Sequence, residues 1–227
     1  MKIENKLELW FPLKPWTITQ GFGLNLTGAY NAIGLKGHTG IDVIAPYDTP
    51  IIPAVLAPIY RAINFGAPIR SYRAIYQIVD TALYSYEVSY GHCNQKLSGS
   101  GLDGSPIATV GNSGDVYENG VYVNPEARST PPYRGTHLHF QVRKLVRTMD
   151  VDMKKGDKNG RIRQFIYNSD GTLFRRDGLA YEVEDYWNGF NGCVEPTPFF
   201  NGYFASDRPV VIGTLEKIIQ LLTNYIK

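Results

Sequence analysis

Four histidines and an aspartate stand at spacings that could do chemistry together. Residues 134–144, RGTHLHFQVRK, alternate as a β-strand does, so residues two apart share a face. Leu138, Phe140 and Val142 then read as a core face, and His137, His139 and Gln141 as the opposite one. Two neighbouring imidazoles repel when both are protonated, so the pair suits a shared partner such as a metal. Alone, the pair fits the solvated face of an ordinary strand equally well. The other two histidines add weight to the first reading. GHTGID spaces His38 and Asp42 four apart, and SYGHCN places His92 after a glycine. A His, a carboxylate and a further His form a zinc set of three protein ligands, with the fourth position left for water.

Short strands must position these groups. TITQGFG (17–23), GIDVIAP (40–46), 50–63, AIYQIVDTAL (74–83), YSYEVSYGH (84–92), SPIATVGNSGD (105–115) and THLHFQV (136–142) are β-branched or aromatic runs between Gly, Pro, Ser and Asn. Close spacing and hairpin-sized connections predict a mainly β fold, an antiparallel sheet or barrel-like domain. No helical period appears before residue 200. The chain has 227 residues, 43% hydrophobic and 19% charged, enough for one sizeable core. A net charge of +2 gives no electrostatic case for a nucleic-acid partner. Cys93 and Cys193 form no CxxC pair and are expected as buried free thiols, with Cys93 on the face opposite His92.

Residues 143–192 read as an insertion. Within 143–163, Arg143, Lys144, Arg147, Lys154, Lys155, Lys158, Arg161 and Arg163 outnumber Asp150, Asp152 and Asp157, and a hairpin is expected about the Asp-Gly of QFIYNSDGTLFRR. Such charge could hold anionic polymers, or simply face water. Residues 201–213 read as a linker. Residues 214–227 read as an amphipathic helix capped by Thr214, with Leu215, Ile218, Ile219, Leu222, Tyr225 and Ile226 in one stripe. Too little basic charge accompanies that stripe for a membrane anchor, so protein contact, including self-association, is expected.

In order, GHTGID, SYGHCN and GTHLHFQVR resemble the lysostaphin/LytM-type zinc metallopeptidases that cut peptidoglycan peptides. ITQGFG, APYDTPIIPA, PIATVGNSG and the closing EPTPFF (195–200) support the resemblance, which covers residues 11–143 and that last piece. It implies a catalytic domain over 1–200, Zn2+ held by His38, Asp42 and His139, and His92 and His137 as catalytic histidines. Thr136 stands where the family usually has proline, and Gln141 where it usually has glutamate. The loop from Asp115 to Gly135 is longer than typical.

The resemblance also implies an endopeptidase acting on stem or cross-bridge peptides of bacterial peptidoglycan. The sequence does not choose between Gly-Gly, D-Ala-Gly and D-Ala-diaminopimelate bonds. No secretory signal and no stretch of ~18 apolar residues is evident. The expectation is therefore a protein made in the cytoplasm that reaches the wall as a released, phage-type lysin or on a virion. A wall-binding or hydrolase-activating member without catalysis is the alternative from another functional class.

Overall fold

Prolines and glycines cut the chain into short strands, and side-chain alternation decides how they stack. The computed structural model describes residues 7–25, 28–81, 83–118, 120–148, 175–176, 179–185 and 188–203. In chain order the strands are β1 (Leu9–Phe11), β2 (Ile18–Gln20), β3 (Ile41–Val43), β4 (Pro50–Ile51), β5 (Ile59–Ile63), β6 (Ala74–Asp80), β7 (Ser85–Gly91), β8 (Cys93–Lys96) and β9 (Ala108–Val110). A small hairpin of β10 (Tyr117–Glu118) and β11 (Val121–Tyr122) leads into helix α1 (Pro125–Ser129). Then come β12 (Leu138–Thr148), β13 (Arg175–Arg176), β14 (Leu179–Val183), β15 (Cys193–Val194) and β16 (Phe200–Tyr203). The molecule is mainly β, with antiparallel sheets, as its sequence pattern predicts.

β12 is the spine of a nine-stranded sheet. One edge pairs with β7 along seven residues, from His139 opposite Gly91 to Leu145 opposite Ser85. The other edge is shared by β3, β15 and β14 in turn. Its apolar face, Leu138, Phe140 and Val142, is wholly buried against Val88, Tyr90, Ile41 and Val43. Each such side chain contributes ~1.5–3 kcal/mol, so the face fixes which way β12 is turned. Its opposite face carries His139, then Gln141 across from Ser89, then Arg143 across from Glu87.

A second sheet, in the order β4-β9-β8, packs beside the first. The chain crosses between them at His92, whose φ of 57° lies in the left-handed region. The sequence reading carries the preceding strand straight through this residue; the structure ends β7 at Gly91 and begins β8 at Cys93. Both cysteines are buried and free, and burial pushes the Cys93 thiol up to about 12.

Several boundaries differ from the sequence expectation. Residues 143–148 continue β12, and Leu179–Val183 lie against it as β14. The segment beginning at Arg143 is therefore partly an extension of the main sheet. Arg143 pairs with buried Glu87 at 2.9 Å and Lys144 with Glu184 at 2.8 Å, so two of the eight basic groups are already neutralised. Residues 201–203, read as the start of a linker, belong to β16, which runs parallel to β1. Phe200 and Tyr203 are drawn there by ring contacts with Phe11, at 5.0 and 5.2 Å between centroids. Helix α1 was not expected; Asn124 caps it by accepting the Ala127 N–H, and Pro125 opens it. The hairpin about Asp170-Gly171 and the helix over 214–227 lie outside the described residues. Among the described residues, no helix is long and apolar enough to cross a membrane.

Gly40 lets β3 enter its place against β12. A Cβ there would collide with the Phe140 carbonyl and reach within 3.1 Å of the His139 ring. Gly40→Ala is expected to cost about 1–3 kcal/mol, the range for overpacking. A thermal melt should fall by ~2–4 °C per kcal/mol. An unchanged melting temperature would mean that β3 can shift without cost.

Candidate metal centre

The pairing of β3 with β12 sets His139 directly opposite Asp42. His38 lies four residues before Asp42, in the tight approach to β3, and is almost fully buried. Three ligand atoms meet there. His38 Nε2 is 2.9 Å from His139 Nδ1, His139 Nδ1 is 2.8 Å from Asp42 Oδ1, and His38 Nε2 is 3.2 Å from Asp42 Oδ1. A tetrahedral zinc site with bonds of ~2.0–2.1 Å has ligand–ligand edges of roughly 3.3 Å, so the triangle is only slightly tighter than such a site.

Proton positions sharpen the point. His38 Nδ1 faces the Gly21 carbonyl at 3.2 Å, and a carbonyl can only accept. Nδ1 therefore carries the proton, leaving a lone pair on Nε2, aimed at an aspartate oxygen that is itself an acceptor. Two lone pairs converging with at most one shared proton, from His139, are best relieved by a cation. Two imidazole nitrogens and one carboxylate oxygen suit zinc.

The other two histidines are brought to the same place by different means. His137 forms an isolated bridge with Gly111 just before β12 begins, which holds its backbone beside the site. Its Nδ1 donates to the Gly135 carbonyl at 2.8 Å, and its Nε2 sits 3.6 Å from Asp42 Oδ1. His92 arrives through the corner after Gly91, which is itself opposite His139. Its Nδ1 donates to the Ser113 carbonyl at 2.5 Å. Its ring lies 4.4 Å from that of His137 and 5.8 Å from that of His139, centroid to centroid. Thus all five residues singled out in the sequence come together.

Burial governs the charges. It pushes the His92 imidazole well below its ordinary value, with help from the neighbouring His137 and His139 charges. His139 is lowered too, again chiefly by burial, against the pull of Asp42. For Asp42, burial acts upward, but the electrostatic pull of neighbouring His137 and the hydrogen bond from His139 hold its carboxyl well below the usual range. The resting arrangement sets a carboxylate beside His92 and His139, two imidazoles that burial biases toward the neutral state in which a ring nitrogen can bind a metal or accept a proton.

Two further neighbours border the site, and of these Tyr30 was not singled out by sequence reasoning. Tyr30 has its ring 5.8 Å from that of His38, and its hydroxyl accepts a hydrogen bond from Gln20 Nε2 at 3.1 Å. Burial, then the Asp42 charge, raises the Tyr30 phenol to about 12, so it stays protonated. Gln141 donates to the Thr39 hydroxyl and accepts from that of Ser89. It ties β12 to the residue beside His38 without adding charge. No periodic pattern in the sequence marks Tyr30, which sits in a single 3-10 turn, Ala29–Ile33.

No protein-family model matches the sequence, and neither does any curated protein. Among solved structures, the chain is similar to LytU, with 19% identity over 82% of this chain and 86% of that one and a TM-score of 0.45. It is similar to the catalytic domain of the prophage-encoded EnpA protein from Enterococcus faecalis, with 23% identity over 58% and 83% and a TM-score of 0.37. The catalytic domain of the antimicrobial peptidase lysostaphin from Staphylococcus simulans gives 14% identity over 81% and 91%, with a TM-score of 0.38.

Elemental analysis of dialysed variants separates the two histidines of β12 and its approach. His139→Ala should lose most of the bound metal, whereas His137→Ala should retain it. Equal loss in both would show that ligand and neighbour have been assigned the wrong way round.

Proposed function

We propose that the protein is a zinc-dependent endopeptidase that hydrolyses peptide bonds in the stem or cross-bridge peptides of bacterial peptidoglycan. The observation that carries the reading is the convergence of His38 Nε2, Asp42 Oδ1 and His139 Nδ1 beside two further histidines whose Nδ1 atoms are held by backbone carbonyls. The order of the three histidine motifs along the chain supports the substrate class. It resembles that of the lysostaphin/LytM-type peptidases.

His38, Asp42 and His139 would hold zinc, which when bound supplies a Lewis acid able to polarise a carbonyl and acidify water. The chain's own groups then divide the work. His137 is pinned with its proton on Nδ1, so Nε2 is the atom that accepts a proton from attacking water and later returns it to the leaving amine. His92, pinned in the same tautomer, places a second Nε2 beside it to accept a hydrogen bond from that water and orient it. The protonated Tyr30 hydroxyl adds a neutral donor near His38 and Asp42. The His-Glu-x-x-His helix of other zinc peptidases is absent from the sequence, so an imidazole takes the part glutamate plays there.

Digesting purified walls of several chemotypes and identifying the newly exposed amino termini tests the reading and names the bond. A chelator should abolish the release of amino termini, and added zinc should restore it. Full hydrolysis after exhaustive metal removal would overturn the metal's role. Wall binding without any new amino terminus would favour the non-catalytic alternative.

A further inference from the structure

The excursion from Val116 to Gly135 carries an arginine that no part of the proposed reaction uses. Arg128 is completely buried, yet among the described residues no carboxylate pairs with it. A desolvated, unpaired guanidinium is costly, and an apolar side chain of similar length would fill the space at less cost. What the guanidinium does have is a set of neutral acceptors. Nη1 donates to the carbonyls of Asn112, at 3.1 Å, and Gly114, while Nη2 donates to the Tyr122 hydroxyl at 3.3 Å. Between the two clamped carbonyls lies that of Ser113, the acceptor for His92 Nδ1. Asn112 returns the grip by donating from Nδ2 to the carbonyls of Arg128 and Arg134.

The same excursion reaches the second histidine. Glu118 accepts from Arg134 Nε at 2.9 Å and Nη2 at 2.6 Å, and from the Gly135 N–H at 2.5 Å. The Gly135 carbonyl is the acceptor for His137 Nδ1. Each non-ligand histidine thus leans on a backbone carbonyl, and each carbonyl is set by one charged side chain of this excursion. His38 differs: its carbonyl partner, Gly21, lies in another part of the chain.

We propose that Arg128 and Glu118 are positioning residues, one for His92 and one for His137, and that the 116–135 excursion serves to fix the tautomer and aim of these two imidazoles. The inference deepens the endopeptidase reading and rests on it for its kinetic consequence. Its structural consequence stands apart from activity.

The test uses the full zinc-loaded chain with Arg128→Met, the milder Arg128→Lys, and Glu118→Gln at a partly exposed position. Proton NMR of the imidazole N–H signals, zinc content and turnover on a soluble wall fragment are read together. Arg128→Met should speed exchange of the His92 Nδ1 proton and leave that of His38 unaltered. Arg128→Lys should do the same in smaller measure, and Glu118→Gln should affect His137. Zinc content should hold, while kcat falls about 10–100-fold with KM little changed, the usual range for groups that orient active residues. An unmoved His92 signal in both Arg128 variants, or equal loss at His38, His92 and His137, would overturn the inference. Should the wild-type chain cleave no wall peptide, the endopeptidase reading fails, while the NMR comparison still decides this one.

Discussion

The register between β3 and β12 is the constraint on which the centre depends. It places His139 opposite Asp42, and the i to i+4 spacing within GHTGID then brings His38 to the same point. Sliding β12 by one residue would turn every side chain to the other face, putting His139 into the core and Leu138 or Phe140 into the site. Leu138, Phe140 and Val142 are all fully buried, so hydrophobic burial makes that slip prohibitive. The polar chemistry on one face is held in place by the apolar packing on the other.

Strand pairing alone sets Cα positions, not ring directions. Here the rings of His38, His92 and His137 are aimed by carbonyls of Gly21, Ser113 and Gly135, all in irregular backbone. A carbonyl fixes both orientation and tautomer, because it demands the proton on the nitrogen that faces it. It also adds no formal charge. A carboxylate in the same role would favour the protonated imidazole and oppose the bias toward neutrality that burial gives His92. The left-handed backbone at His92 belongs to the same economy of placement, since a straight strand would have carried its ring along the sheet instead of around the corner.

What could be read from sequence follows from this division. Period-two alternation through THLHFQV exposes both the core face and the histidine pair. GHTGID is a local motif whose geometry needs no distant partner. The antiparallel sheets and the buried free cysteines followed from composition and spacing. Contacts made across long sequence separations were not legible. Tyr203 meets Phe11, and Arg128 grips Asn112 and Gly114, with no repeating signature in either segment. The Asn201-Gly202 pair carries ordinary loop punctuation, which hides a strand held by tilted and edge-on aromatic contacts. Arg143 looked like one more solvated cation in a basic run, because its partner Glu87 lies 56 residues earlier.

That ion pair bears on which group can accept a proton at the centre. On the face of β7 and β12 that carries His139, the carboxylate of those two strands is Glu87, four residues from Gly91. It is buried, takes Arg143 Nη1 on one oxygen and the Tyr60 hydroxyl on the other, and so faces away from the task. Asp42 is committed as a member of the ligand triangle, and its depressed pKa makes it a poor base. Gln141 stands where a further carboxylate would have been nearest, and it is neutral. In the proposed endopeptidase the arrangement of charge therefore leaves imidazole as the proton acceptor, and His137, with Nδ1 occupied and Nε2 at 3.6 Å from the Asp42 oxygen, is the one whose other nitrogen is directed at the candidate ligands.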